Sequence, residues 1–340
     1  MVMIKKEDNF LDANKSIPIE LLKNYGSHPL AFASFQDGMS QFFYGNDAFI
    51  SYKRSNNKPF ILGDPVSSPD KFESVILAFD KKYPQSVWFQ IHRKTAQVLE
   101  RLGYNIFPFG IETTLKLPYS LKGASKADIR ILYNSCKRQG GKVKEINQKD
   151  FDSILSDKPL SDVSFNQLRF QNKLSFLVPA YNDFCTTEIR CFAGYYRGDL
   201  IGYSLFHPIY HNNRTTGYHE IIPRRFMPAP KGSRVFILLE AMRVFTDEGV
   251  DFVSLGLSPL ARMSGLIGNH KVSKKLSIAF LSLIYNHGNF LYNFKGLSFH
   301  KSRYRGEETK VFMASKAGFL LPDLARVYKM TTGRWLPPFF

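Results

Sequence analysis

Apolar positions in the first third of the chain come in short runs separated by turn residues. Leu30–Phe35 and Gln41–Tyr44 flank Asp37-Gly38, the pattern of a β-hairpin, and Ala48–Tyr52 and Pro59–Leu62 read as further strands before the loop Gly63-Asp64-Pro65. From Lys71 to Lys82 the spacing changes, and Phe72, Val75, Ile76 and Phe79 fall on one face of a helix. Ser86–Gln90 then reads as a buried strand, Lys94–Leu102 as a helix stopped by Gly103, and Glu112–Leu117 as a strand. Alternation of this kind predicts a mixed α/β (α+β) fold.

The pattern pauses between Leu121 and Lys144. There Lys122, Lys126, Arg130, Lys137, Arg138, Lys142 and Lys144 face a single acid, Asp128, while Ile129, Leu132, Tyr133 and Cys136 keep helical spacing. The segment predicts a basic amphipathic helix broken at Gly140-Gly141. Beyond it the grammar returns. A helical stretch over Asp150–Lys173 is interrupted at Pro159, and strands follow at Ile189–Tyr196, Leu200–Ile209 and Gly217–Ile222. A loop over Pro223–Ser233 precedes a helix over Arg234–Glu248, and Phe252–Leu257 reads as a buried strand. Ser258–His270 reads as loop, Leu276–Phe294 as partly helical, and Lys310–Ala314 as a last strand. The two similar layouts predict a duplicated fold, divided as 1–119, a basic linker helix over 120–146, and 147–340.

Length agrees with two units, since 340 residues are long for one core. Forty-four per cent hydrophobic residues, with 31 Phe and 17 Tyr, exclude a disordered tail. Forty-six Lys and Arg against 29 Asp and Glu give a net charge of +17, a field that attracts nucleic acid or an anionic membrane surface. Cys136, Cys185 and Cys191 have neither metal-ligand spacing nor an even disulfide count, so a reducing, cytoplasmic setting is expected, with no metal and no cofactor. The N-terminal residues lack the apolar core of a signal peptide, and runs such as Leu276–Tyr285 are too short to span a bilayer. Membrane contact is therefore expected to be peripheral, at the inner face of the cytoplasmic membrane.

The segment from Gly217 to Leu260 carries the most chemistry. A strand feeds a loop holding Arg224, Arg225 and Lys231, then Gly232-Ser233, then a helix whose first amides are free to meet an anion. Strand, basic glycine loop, helix and strand resemble the working core of GNAT-type acyltransferases, where such a loop holds donor phosphates.

Several segments extend that likeness to a family. They are Gly63-Asp64-Pro65-Val66, Phe89-Gln90, Leu102-Gly103-Tyr104 and Gly110-Ile111-Glu112-Thr113 in the first half, and Leu121-Lys122-Gly123 in the linker. The second half adds Pro228-Ala229-Pro230-Lys231-Gly232, Ser254-Leu255-Gly256-Leu257-Ser258-Pro259-Leu260 and Tyr292-Asn293-Phe294-Lys295-Gly296-Leu297. In order and spacing they resemble the soluble catalytic domain of bacterial phosphatidylglycerol lysyltransferase/alanyltransferase proteins (multiple peptide resistance factor type, DUF2156), from about Leu30 to Tyr328. The resemblance implies tandem GNAT-like folds joined by a basic helix. It also implies transfer of an amino acid from aminoacyl-tRNA to the hydroxyl of a lipid head group such as phosphatidylglycerol, in a tunnel through the second domain. The family's membrane-embedded flippase half has no counterpart in this sequence, so lipid translocation is not expected of it.

On that basis Glu220 is the candidate base or ammonium ligand, and Ser258 a hydrogen-bond donor to the reacting carbonyl. Arg224, Arg225, Lys231 and Gly232 are expected to hold the terminal phosphates of the tRNA, and Asn293, Lys295 and Lys301 to meet the acceptor, Lys301 at its phosphate. Lys126, Arg130, Lys137 and Arg138 are expected to bind tRNA along the linker. Asp64 and Glu112 read as structural, in a turn and at a domain contact. Two other readings remain: a GNAT-type N-acyltransferase using acyl-CoA, and a non-catalytic tRNA- or membrane-binding module.

Overall fold

The computed structural model describes residues 19–36, 38–157, 176–177, 188–221, 223–226, 228–262, 294–317 and 321–332. The predicted alternation of strands and helices is present. Its strands are β1 (Ser40–Phe43), β2 (Ala48–Ser55), β3 (Lys58–Leu62), β4 (Val66–Ser67), β5 (Val87–Ile91) and β6 (Asn105–Lys116) in the first half. The second half holds β7 (Lys142–Ile146), β8 (Arg190–Tyr196), β9 (Asp199–His211), β10 (Arg214–Glu220), β11 (Arg224–Arg225), β12 (Phe252–Pro259) and β13 (Glu307–Ser315). Helices are α1 (Ile19–Tyr25), α2 (Phe72–Lys82), α3 (Arg93–Arg101), α4 (Ala127–Arg138), α5 (Gln148–Asp157), α6 (Ser233–Asp247), α7 (Phe294–Ser302) and α8 (Leu321–Thr332).

All the strands among the described residues share one mixed sheet, ordered β1-β2-β3-β5-β13-β6-β12-β10-β9-β8-β7, with β4 on β2 and β11 on β9. Read from both ends, the order nearly mirrors itself. In the first half β1, β2 and β3 are antiparallel and β3 pairs parallel to β5. In the second half β8, β9 and β10 are antiparallel and β10 pairs parallel to β12. Each half then sends its last strand across. First-half β6 pairs with β12, and second-half β13 pairs with β5, while β6 and β13 pair with each other at the centre. The sheet is continuous through residues that lie far apart in the chain.

Helices cover the sheet where the periodicity predicts. α2 buries Val75, Ile76 and Phe79 against Trp88 and Ile91 of β5. α6 is apolar on most faces, and Val235, Phe236, Ile237, Leu238, Met242 and Phe245 are each at most 2% exposed. It can be so because the sheet lies on one side and α4 on the other, through Ile129, Tyr133 and Cys136. Truncating Phe245 there would cost about 3–5 kcal/mol.

Two expectations are corrected. Ala31–Phe35 is a 3-10 helix, not a strand, and the hairpin joins β1 to β2 through Tyr44–Asp47. The six-residue apolar run over Leu30–Phe35 suits either element, and burial of Ala31, Phe32 and Ala33 beneath neighbouring chain selects the tighter one. The basic segment also does not stay helical after its glycines, since Lys142–Ile146 form edge strand β7 on β8. Cys185 and the stretches 159–173 and 276–293 lie outside the described residues.

Candidate functional site

The site begins where two parallel strands part. β10 and β12 pair over Gly217–Phe252, Tyr218–Val253 and His219–Ser254 only. Beyond Ser254, β12 shifts register and follows β6 as far as the pair Pro259–Gly110. β10 ends one residue later, at Glu220. The shift lies between Ser254 and Gly256, and Gly256 closes it with a φ of +70°, in the left-handed region. A Cβ at Gly256 would stand 2.4 Å from His219 Nε2, so the bulge and the packing of His219 need glycine together.

Glu220 and Lys301 occupy this opening. Glu220 is half-buried, and its Oε1 accepts from Ser204 Oγ at 2.8 Å. Burial pushes its carboxyl above the usual range, against the pull of Arg234, Ser204 and Lys301. Lys301, from α7, is 8% exposed, and its Nζ donates to the Leu257 carbonyl at 2.7 Å. Burial lowers its ammonium to about 7; Glu220 and Glu112 oppose that fall and Arg234 adds to it. His219 is held near 4, chiefly by burial, so it is neutral at pH 7 and donates Nδ1–H to the Pro29 carbonyl at 2.9 Å. His207, its cross-strand partner, is pushed down to about 3, again chiefly by burial.

A second charged cluster comes from the first half. Asp64, in the loop after β3, accepts from the His92 backbone amide at 3.0 Å and lies against His92 Nδ1. His92 Nε2 contacts Glu112 Oε2 at 3.0 Å, and Gln90 Nε2 donates to Glu112 Oε1 at 2.7 Å. Burial works against the His92 imidazolium, yet hydrogen bonds to the two carboxylates raise it to about 10. Burial likewise works against both carboxylates, and His92 outweighs it, so both stay below their usual range. Gln90 takes a φ of +54°, a strained conformation costing about 1 kcal/mol or more, and that conformation accompanies its grip on Glu112. Glu112 is paired with Leu257, the residue whose carbonyl holds Lys301. The first half thus delivers a buried carboxylate to the opening in the second.

The sequence candidates scatter around this centre. Ser258 lies in β12, 3% exposed and paired with Ile111. Arg224 and Arg225 form β11, half-buried and paired with Tyr203 and Gly202 of β9. Lys231 is exposed. Gly232, with φ +95° at the start of α6, turns its Cα toward α4, where a Cβ would stand 2.9 Å from Leu132 Cβ. That approach is filled by Leu132. Lys295 is exposed on α7, and Asn293 lies outside the described residues.

Along the linker, Lys126 Nζ donates to the Ser120 carbonyl at 2.8 Å, and Arg130 Nη1 donates to the carbonyls of Leu121 and Gly123. Lys137 and Arg138 are exposed on α4. Among the described residues no group of three or more His, Cys, Asp or Glu could hold a metal ion. His92, Glu112, Arg234, Arg303 and Tyr304 were not singled out as site residues by sequence pattern. The chain from 252 to 306 contains no Asp or Glu, a compositional signal that could have directed attention to the last two.

Comparison with known proteins agrees with this architecture. A relative from Bacillus subtilis, a phosphatidylglycerol lysyltransferase, is 22% identical over 302 residues, covering 86% of this chain and 34% of its own length. The chain thus spans about a third of the curated relatives it matches. The solved structure of L-PGS from Bacillus licheniformis superposes with a TM-score of 0.74 at 20% identity, covering 93% of this chain and 96% of that one. The C-terminal domain (DUF2156) of a protein described as a lysylphosphatidylglycerol synthetase from Agrobacterium fabrum superposes at 0.71 and 19% identity, covering 91% and 95%. Residues 19–315 match the family described as phosphatidylglycerol lysyltransferase, C-terminal, and the chain belongs to that family.

Proposed function

We propose that the opening between β10 and β12 transfers an aminoacyl group from an aminoacyl-tRNA to a hydroxyl of an anionic lipid head group such as phosphatidylglycerol. The observation that carries this reading is the placement, in a chain of this family, of Glu220 at the end of β10 and of Lys301 on the Leu257 carbonyl of β12, beyond the point where these parallel strands part. The donor ester is already activated, so the protein must align it, move one proton and stabilise an oxyanion. The lipid hydroxyl attacks the ester carbonyl and the bond to the ribose oxygen breaks. Glu220, its carboxyl raised by burial, accepts the hydroxyl proton and returns it to the departing ribose oxygen, which leaves as a hydroxyl. The Lys301 ammonium, close to neutral pH in its affinity for a proton, sits where it can meet the developing negative charge. Exposed Lys137 and Arg138 and a net charge of +17 support attraction of both polyanionic substrates. No helix among the described residues is long and apolar enough to cross a membrane, so acceptor and site are proposed to meet at the lipid surface.

The test is incubation with charged tRNAs and lipids, with products read by mass spectrometry, for the parent chain and Glu220→Ala. The variant should lose about 10²- to 10⁴-fold in turnover while keeping its circular dichroism. Undiminished turnover would remove Glu220 from the reaction. Formation of an acylated product from acyl-CoA instead would overturn the choice of donor.

A further inference from the structure

Beside Lys301 lies a group of donors that the proposed transfer does not use. The side chain of Arg234, in the first turn of α6, makes no hydrogen bond among the described residues, and its Nε is fully buried. Arg303, just after α7, offers Nη2 to His300 Nδ1 at 2.8 Å and leaves its buried Nε without a partner there. Tyr304 is 0% exposed, and its buried hydroxyl likewise has no partner among the described residues. These groups act on one another. The Tyr304 phenol feels Arg234, Arg303 and Glu220, and His300, pressed first by burial and then by Arg234, Arg303 and Lys301, falls to about 2.

Glu112, held ionised by His92 and Gln90, acts on Lys301, while Glu220, which acts on both Lys301 and Arg234, has its own burial favouring the neutral form. No counter-charge comes from the following chain, because positions 252 to 306 contain no Asp or Glu. Two half-buried guanidinium groups that act on the same phenol and imidazole, each with a buried Nε lacking a partner among the described residues, leave costly unpaired donors unless an anion joins them. Two arginines offer the fork geometry that matches the two free oxygens of a phosphodiester.

We propose that Arg234 and Arg303, backed by the Tyr304 hydroxyl, receive a single phosphodiester of a lipid head group. Two arginines backed by one buried phenol suit a single phosphodiester better than an RNA backbone, which presents phosphates in series. The setting of Arg303 points the same way. Its guanidinium lies 5.6 Å from the ring centroid of Phe299, one turn earlier, and that ring is 65% exposed. A basic side chain laid over an exposed aromatic suits a membrane surface, where the ring enters the acyl boundary and the cation stays at the phosphates. The proposal deepens the transfer reading by seating the acceptor beside Lys301, and binding can be measured without turnover.

The experiment is calorimetric titration of the full chain with soluble sn-glycero-3-phosphoglycerol. Arg234→Gln and Arg303→Gln should each weaken binding about tenfold, and the pair together should remove it. Arg234→Lys keeps the charge and should retain part of the affinity. Arg243→Gln, exposed at the far end of α6 and paired with Glu240, should leave affinity unchanged and serves as the control for fold and net charge. Glu220→Ala should bind the head group at least as well as the parent even where it ends turnover, which separates this proposal from the transfer reading. Binding unchanged in both glutamine variants overturns the proposal. So does a loss confined to an acceptor-stem RNA titrated in parallel.

Discussion

Lys301 is anchored through Leu257: the ammonium donates to the Leu257 carbonyl at 2.7 Å, and Leu257 pairs across the sheet with Glu112. Strand register therefore fixes the distance between a buried cation of the second half and a buried anion of the first. The groups that face Lys301 are Glu112 from β6, Glu220 and His219 from β10, Arg234 from α6, and His300 on its own helix. Of these, Glu112 is the anion held ionised, by Gln90 and His92. Glu112→Gln should lower the Lys301 proton affinity, moving the limb of the pH–rate profile near pH 7 by about one unit toward acid. Glu112→Asp, which keeps the charge, should move it less. A limb that stays put in Glu112→Gln would show that Glu112 does not tune Lys301.

His92 makes a separate prediction about stability. Its folded-state affinity is raised from 6.5 to about 10, so between those values the folded protein binds more protons than the unfolded chain. The stabilisation is complete below pH 6.5 and is lost as pH rises toward 10. His219 and His207 work in the other direction. Lowered to about 4 and about 3, they lose their contribution as pH falls below 6.5. Thermal melts should thus decline on both sides of near-neutral pH, and His92→Gln should flatten the alkaline side. An alkaline decline equally steep in the variant would rule out His92 as its source.

Gly256→Ala should destabilise the chain by about 2–4 kcal/mol, because the left-handed backbone and the His219 contact both reject a Cβ. Gly103→Ala is the comparison. Its φ is also positive, at +82°, but a Cβ there meets nothing within 4 Å, so its cost should stay near 1 kcal/mol. Chemical denaturation of the two variants measures the difference, and equal losses would contradict the steric account.

The basic linker helix should divide into two classes of cation. Reversing Lys137 and Arg138 to Glu should weaken tRNA binding and reduce its salt slope by about one for each phosphate that is no longer neutralised, with stability nearly unchanged. Reversing Arg130 should lower stability as well, because its guanidinium ties the carbonyls of Leu121 and Gly123 to α4. Filter binding across a salt series together with thermal melts tests both, and an unaltered salt slope would make α4 a spacer.

The elements were legible where local rules govern them. Phe72, Val75, Ile76 and Phe79 announce α2, and Gly103 announces the end of α3. Leu30–Phe35 was not, because an apolar run of six suits a strand and a tight helix equally. The exchange of β6 and β13 was invisible for a different reason: strand order is a long-range choice, and nothing within either strand names its partner. Glu112 shows the consequence at the site. Its position in a strand suggested a structural carboxylate, and only the pairing with β12 brings it to Lys301. Arg234 gave no local sign either, being one more cation near a helix start.

The exchanged strands also bear on how this protein can be divided. A fragment stopped after the linker would keep β5 and β6 but lose β13 from between them, exposing backbone donors and acceptors along both. A fragment begun at β7 would leave β12 with a bare flank and β13 with no neighbour on either side. Such open edges recruit other chains. Expressed separately, the halves should clump rather than fold, and mixing them during refolding, not afterwards, should be the condition that recovers a soluble particle.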